Sequence, residues 1–389
     1  MPGKRFGRPQ LFALLLLSAF VLQALWVIQR TQLRRAEIAY AHAGLDQLRG
    51  QTLLPEAGTL PVPAVVALAP MLVYVAAHPP SREVASAFPE ALKWALRLPF
   101  AAIGWLLGAS IWYVARRLYG NSGGYIALTL YCFSPAVFFP WPGPLLTGSL
   151  GIFGTVFVSI AVSHTLYAPA GKAIDEVRSR WRRIILLGIA IALAVGSGFW
   201  GVSLVLLGLL FMLYLVPERR LASLTLVLSG CTVAAALLLA CYGFRAPALA
   251  RAFSEANWLP RPDSVANEVM RAYAVGIRHA MNPVLMVLSA VALGTYLAWN
   301  RCRYFGNTAP LIALMTVAAL GFFAVADVLV GPFPFRGAPF LYVFVAGVFA
   351  DGLESRWRTA FGLLLLGLLA AYATVSLLTV ARLRPVATH

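Results

Sequence analysis

The sequence predicts an all-α fold, a polytopic transmembrane helical bundle of about 11 crossings with juxtamembrane helices in its first external loop. Three observations predict it. Apolar residues make up 60% of the 389, charged residues only 12%, and the mean hydropathy is +0.80; a soluble domain carries about 25% charged residues. The charges gather in short clusters between apolar runs of about 17 to 25 residues, the length that crosses a bilayer core as a helix. Those runs are continuous rather than alternating, and backbone groups in hydrocarbon must pair within the segment, so helices are required and a barrel is excluded.

Crossings are expected at 11–29, 97–115, 122–140, 144–166, 184–199, 200–216, 222–243, 282–299, 308–330, 338–353 and 360–380. The first follows Lys4, Arg5 and Arg8; its apolar run is too long for a signal-peptide core and reads as a retained signal anchor. Basic clusters then punctuate the chain at Arg116–Arg117, Arg178–Arg183, Arg219–Arg220, Arg301–Arg303 and Arg356–Arg358. With a cytoplasmic N-terminus all of them fall on the cytoplasmic side, as the positive-inside rule asks of short loops. The expected placement is a multi-pass protein of the inner (plasma) membrane. The chain then reads as one transmembrane domain, 1–389, with a first periplasmic loop at 30–96 and a second at 244–281.

The first loop holds an amphipathic stretch, Leu33 to Arg49, suited to lying in the membrane interface. Ile38, Ala41, Leu45 and Leu48 share one face; Arg34, Arg35, Glu37, His42, Asp46 and Arg49 fall mostly on the other. Leu60 to Ala77 is apolar enough to cross, but Pro61, Pro63 and Pro70 are expected to break it, and a crossing there would carry every later basic pair outside. It therefore reads as juxtamembrane or re-entrant. In the second loop Ser264 to Ala280 reads as a helix.

The net charge of +17 has no nucleic-acid signature beside it and fits arginines reaching to headgroups, so no nucleic-acid partner is expected. Cys132, Cys231, Cys241 and Cys302 lie in or beside apolar segments at no metal-ligand spacing. No P-loop, GxSxG, HExxH or dinucleotide fingerprint occurs, so a site must come from polar groups at the membrane surface or an ionisable residue within a crossing. Asp327 is such a residue, in FFAVADVLV, with Arg336 nearby as a partner. His42 and Asp46 stand at i, i+4, two metal ligands and too few for a site; no cofactor is expected, and a divalent metal stays open. A transporter would want an inverted repeat and more intramembrane acids than Asp327.

The order of segments resembles the C-type membrane glycosyltransferase superfamily, in particular bacterial relatives of protein O-mannosyltransferases and aminoarabinose transferases. Arg97-Leu98-Pro99 with Gly104, Arg116-Arg117-Leu118-Tyr119-Gly120 and Ser134-Pro135 match its recurring motifs in order. The match is good over 1–216 and weaker beyond, where Arg336 resembles a late arginine motif. The resemblance implies transfer of a sugar from a polyprenyl-phosphate carrier to an acceptor on the non-cytoplasmic side, with membrane lipids as the other partners. It implies an acid in the first loop as base or acceptor-orienting group, here Glu37. Arg34, Arg35, Arg245 and Arg336 are the candidates for donor phosphate, since a guanidinium suits a phosphate's paired oxygens.

The chain also departs from the pattern. Ala36 stands where the family has Asp, Tyr40 where it has His, LPVP where it has H-P-P-L, and Thr147-Gly148-Ser149-Leu150 where it has T-T-D-L. A displaced His78-Pro79-Pro80-Ser81 lies further along the loop. Two readings follow: an active transferase, or a degenerate relative that keeps the scaffold as a lipid-binding or assembly subunit with a membrane protein partner.

Overall fold

The computed structural model describes residues 7–33, 35–48, 61–77, 90–138, 143–166, 173–198, 201–255, 282–298, 337–354 and 358–382. The described regular elements are helical. They are α1 (Arg8–Arg30), α2 (Arg35–Leu48), α3 (Pro61–Ala77), α4 (Glu90–Cys132), α5 (Gly143–Thr165), α6 (Ala173–Gly196), α7 (Gly201–Leu215), α8 (Arg220–Cys241), α9 (Ala246–Glu255), α10 (Pro283–Ala298), α11 (Ala338–Leu353) and α12 (Arg358–Ala381). Among the described residues five helical spans are long and apolar enough to cross a membrane, and four shorter helices are strongly apolar. The chain is an all-α multi-pass membrane protein. The crossing expected at 308–330 and the helix expected at 264–280 lie outside the described residues.

One expected element takes a different form, and one pair of expected crossings meets without a loop. The run from Leu60 does not break at its prolines; Pro61–Ala77 is one helix. Pro61 and Pro63 occupy its first turn, where the missing N–H would have had no partner anyway, and only Pro70 removes an interior hydrogen bond. The crossings expected at 97–115 and 122–140 are two helical limbs that follow one another without a loop, and α4 denotes both, with the break between them at Gly120 (φ 76°, ψ −173°). That left-handed φ is open to glycine without a Cβ penalty, which gives the Arg-Arg-Leu-Tyr-Gly motif a physical reason. The second limb is shorter than expected, ending at Cys132 and followed by a 3₁₀ turn, Pro135–Val137.

The helices gather into two compact units, with α4 contributing to both. The first contains 1–30, 104–142 and 260–389. In it the limbs of α4 fold back on each other, so that the Tyr131 ring covers Gly108 and its hydroxyl donates to the Gly104 carbonyl at 2.6 Å. Phe20 of α1 stacks on Tyr131 at 5.5 Å between centroids, and Gln23 donates to the Cys132 carbonyl at 3.2 Å. The Tyr342 hydroxyl donates to Ser134 Oγ and the Tyr372 hydroxyl to the Leu130 carbonyl, each at 2.8 Å. Asn282 caps α10, accepting from the Val284 N–H, while its amide donates to the Tyr372 carbonyl and Ser376 Oγ. In a lipid-embedded core each such bond ties an aromatic crossing to a specific partner, because no water competes for it.

The second unit contains 31–103 and 143–259. Its centre is the contact of α5 with α6, made close by small residues. A Cβ on Gly151 would land on the backbone of Ala194, one on Gly154 would crowd Ala190, and one on Gly201 would meet the Ala194 carbonyl. The contacts fix direction. Gly151 lies opposite Ala194 and Thr165 opposite Arg180, so α5 and α6 are antiparallel. Gly188 meets Val233 and Gly196 meets Leu238, so α8 runs parallel to α6. Close approach of backbones through glycine is how membrane helices gain packing without a hydrophobic driving force.

Gly151→Leu is expected to force α5 off α6 and lower stability by at least 1–3 kcal/mol on the overpacking scale of about that size. Gly367→Ala on α12, where a Cβ meets nothing, should stay within about 0.5 kcal/mol of wild type. Thermal melting of both purified variants in one detergent checks this.

Candidate functional site

The most specific polar arrangement among the described residues centres on Arg97, the arginine of the Arg-Leu-Pro motif on α4. It is 1% exposed. Its Nε donates to Glu37 Oε1 at 2.7 Å and its Nη2 to Glu37 Oε2 at 2.8 Å, a two-pronged grip on one carboxylate. Nη1 donates to the Thr31 carbonyl at 2.9 Å and to Thr31 Oγ1 at 2.7 Å, and Nη2 also reaches the Gln32 carbonyl at 2.7 Å. All five guanidinium N–H groups are therefore engaged. A buried charge is tolerable when it is paired and fully hydrogen-bonded in this way.

Local sequence explains why α2 delivers Glu37 to that point. Ala41 and Gly44 follow Glu37 at i+4 and i+7, so the three share one helical face. Ala41 packs with Ala67 and Met71 of α3 and Leu92 and Leu96 of α4, and Gly44 sits against Ala67 and Met71. With that face turned inward, Glu37 is carried into the interior. The sequence placed it on the outward polar face; the structure buries it, because the cation waiting on α4 offsets the cost of desolvation. His42 stays exposed. Lys93, one turn before Arg97 on α4, is a second buried cation that sequence reasoning did not single out.

The ion pair sits at a definite end of the second unit. Phe100, three residues beyond Arg97, lies against Gly143 at the start of α5. At the same end Ser197, just past α6, donates to Thr147 Oγ1 at 2.6 Å, and Val62 near the start of α3 covers Gly196. Thr147 and Ser149, in the tetrad that stands for the family's second acidic motif, are fully buried hydroxyls, and Ser149 Oγ has no hydrogen-bond partner.

Arg245 belongs to this end too. α8 closes at Cys241 through Gly243 (φ 60°) and Phe244 (φ 59°), whose N–H donates back to the Leu239 carbonyl at 2.9 Å. A left-handed phenylalanine is strained, and its side chain is left exposed, as is that of Arg245, the next residue. Glu37 and Arg245 thus lie at one end of the unit. The backbone of Arg35 and Asp46 falls within α2 but their side chains are not described, and Arg34, Asp327 and Arg336 lie outside the described residues.

The opposite end gathers the basic clusters of this unit. Arg178 to Arg183 begin α6, and Arg219 and Arg220 begin α8 parallel to it. These clusters were expected to share one side of the membrane, and within this unit they share one end. α6 is 24 residues long, about 36 Å as an α-helix, which exceeds a hydrocarbon core of about 30 Å.

Residues 84–242 match the family model described as dolichyl-phosphate-mannose-protein mannosyltransferase. The fold as a whole is similar to that of a solved membrane oligosaccharyltransferase. That structure, the apo oligosaccharyltransferase of Archaeoglobus fulgidus, superposes with a TM-score of 0.55 at 14% identity, covering 94% of this chain. The chain spans 55% of the length of that enzyme. No curated protein matches the chain at the sequence level. The mannosyltransferase match takes in the whole of α4 to α8, and so Arg97, Gly120 and the α5–α6 contact.

Arg97→Ala leaves Glu37 buried without its partner, and a loss of about 3–5 kcal/mol is expected. Lysine at 97 should restore only part of it, since an ammonium cannot reproduce the fork. The Glu37→Gln/Arg97→Met double variant should melt above Arg97→Ala. Melting curves of the three variants in one detergent decide it. Gln32→Cys and Arg182→Cys, both at exposed positions, should react with a membrane-impermeant maleimide from opposite faces of sealed vesicles.

Proposed function

We propose that the chain transfers a sugar from a polyprenyl-phosphate donor to an acceptor on the periplasmic side of the inner membrane. The observation that carries this reading is a buried carboxylate, Glu37, held in one orientation by Arg97 at the end of the unit where Arg245 is exposed. The mannosyltransferase match and the shared fold support the reaction class. The side rests on charge: with Arg178–Arg183 and Arg219–Arg220 cytoplasmic, the Glu37 end faces outward and the N-terminus lies in the cytoplasm.

In this mechanism an acceptor hydroxyl or amine attacks the anomeric carbon directly as the bond from that carbon to the phosphate oxygen breaks. Glu37 takes the acceptor's proton or orients the acceptor for attack, the work a positioned carboxylate performs in general-base catalysis. The departing polyprenyl phosphate carries the negative charge away, and Arg245, with Arg34, Arg35 and Arg336 as further candidates, stabilises it by charge-assisted hydrogen bonds. Arg97, with its five donors engaged by Glu37, Thr31 and Gln32, is a positioning residue rather than a phosphate ligand. Asp46 and Asp327 remain candidates from the sequence alone.

One observation favours a second reading. Both oxygens of Glu37 accept from Arg97, and the neighbouring position, where the family places its acid, is Ala36. A carboxylate so engaged can serve as a tie between α2 and α4 in a non-catalytic subunit that binds lipid or assembles with a membrane protein partner.

In cells lacking the chain, wild type should restore the sugar on lipid-linked glycans or surface polymer. Glu37→Gln at equal membrane abundance should not, since removal of a general base costs about 10²–10⁴ in rate. Arg245→Ala should lower kcat of the purified protein, since it removes stabilisation of charge that develops on the leaving phosphate. A wild-type glycan profile from Glu37→Gln would overturn the catalytic assignment in favour of the subunit.

A further inference from the structure

The end of the second unit remote from Glu37 carries an exposed patch that the transfer reaction does not use. In the run Arg178-Ser179-Arg180-Trp181-Arg182-Arg183 of α6, Arg180 alone turns inward. Its Nε donates to Thr165 Oγ1 at 3.0 Å and its Nη2 to the Thr165 carbonyl at 2.7 Å, closing the last turn of α5. A cation on the final carbonyls of a helix is favourably placed against its dipole. This lock also fixes the rotation of α6, and the rotation decides what the other side chains do.

Arg178, Arg182 and Arg183 all point to the exterior, and none of them makes a hydrogen bond or ion pair with the described residues. Between them Trp181 is 53% exposed, with the Arg182 guanidinium 5.4 Å from its ring centroid. Arg178 and Arg182 stand at i, i+4, side chains about 6 Å apart at the helix surface. Continuing along the helix from Trp181 by four and eight residues, the exposed positions are Ile185 and Ile189, with Leu186 beside them. No charged residue follows Arg183 before the end of the helix at Gly196. The outer face of α6 therefore changes within one turn from guanidinium and indole to aliphatic side chain. Asp175 and Glu176 precede the run, and its four arginines outnumber these two acids, so the segment keeps an excess of positive charge at the boundary.

We infer that Arg178, Trp181, Arg182 and Arg183 form a seat for the headgroup of an anionic phospholipid whose acyl chain lies along Ile185, Leu186 and Ile189. The occupant follows from complementarity. Two guanidinium forks one turn apart suit a phosphodiester, an exposed indole suits the headgroup layer, and the aliphatic strip below suits a lipid tail. A free phosphate would satisfy the arginines and leave Trp181 and the strip without a partner. The lipid would brace the α5–α6 hairpin where Arg180 locks it, at the face opposite to transfer.

The full chain in nanodiscs of phosphatidylcholine, with and without phosphatidylglycerol, tests this by melting and by native mass spectrometry of retained lipid. Wild type should melt higher with phosphatidylglycerol and retain it. Each arginine near an anionic surface contributes about fivefold in binding, so Arg178→Gln/Arg182→Gln should weaken phosphatidylglycerol binding by about 25-fold and abolish the shift. Its melting in pure phosphatidylcholine should equal wild type. If the double variant melts lower there, the single variant Arg182→Gln, scored by retained lipid alone, takes its place. Arg251→Gln, an exposed arginine on α9, should change nothing. A shift that survives in the double variant, or one that inorganic phosphate reproduces in pure phosphatidylcholine, overturns the lipid seat. Neither outcome bears on Glu37 or the transfer reaction.

Discussion

A single guanidinium organises the end of the second unit where α2 meets α4. Arg97 holds the carboxylate of α2 and the two carbonyls that follow α1 in sequence, and it does so from a position with almost no contact with solvent. An arginine can tie two other segments to its own helix at once because its donors point in fixed directions from one plane; a lysine has three donors on a flexible stem and no such fork. Remove the charge and Glu37 becomes an unpaired anion in an apolar setting. Remove the geometry and α2 has only the small apolar face of Ala41 and Gly44 to hold it on α3 and α4. The first loop is thus positioned by electrostatics and secured by packing. A carboxylate intended for chemistry, or for a permanent structural tie, needs this kind of support.

Beneath the ion pair the bundle depends on the absence of side chains. Gly151, Gly154 and Gly201 bring α5, α6 and α7 to backbone contact, and Thr147 and Ser197 close the seam with a hydrogen bond. Dispersion between closely approaching backbones replaces the hydrophobic effect that lipid cannot supply. The first unit solves the same problem with tyrosine. Tyr131, Tyr342 and Tyr372 fill large interior volumes with their rings, and each hydroxyl reaches an acceptor that a phenylalanine would leave unsatisfied.

Arginine has two roles at the two ends of the second unit, and sequence does not distinguish them. Arg97 and Arg180 are both buried clamps, yet one stands in an apolar stretch and the other in the middle of a basic run. The neighbours of Arg180 face outward only because α6 must present that one residue to the end of α5. Charge runs signal which end of a crossing lies at a membrane surface. The tertiary contact assigns the individual members.

The sequence alone determined the class of this protein. Continuous apolar runs bounded by arginine admit helices only, because lipid offers backbone groups no other partner, and α1, α5, α7, α8, α10, α11 and α12 fall close to the expected crossings. Motif order resembles that of the C-type glycosyltransferases, and one of those motifs carries a requirement that is local enough to read, the positive φ of Gly120. The tertiary structure decided what depends on a partner distant in the chain. Glu37 reads as an outward acid on an amphipathic helix and becomes an inward one because Arg97, sixty residues later, waits for it. Pro61 and Pro63 read as breakers and turn out to begin a helix, because a first turn needs no donors. Periodicity reports which side chains share a face; only packing decides which face is turned in.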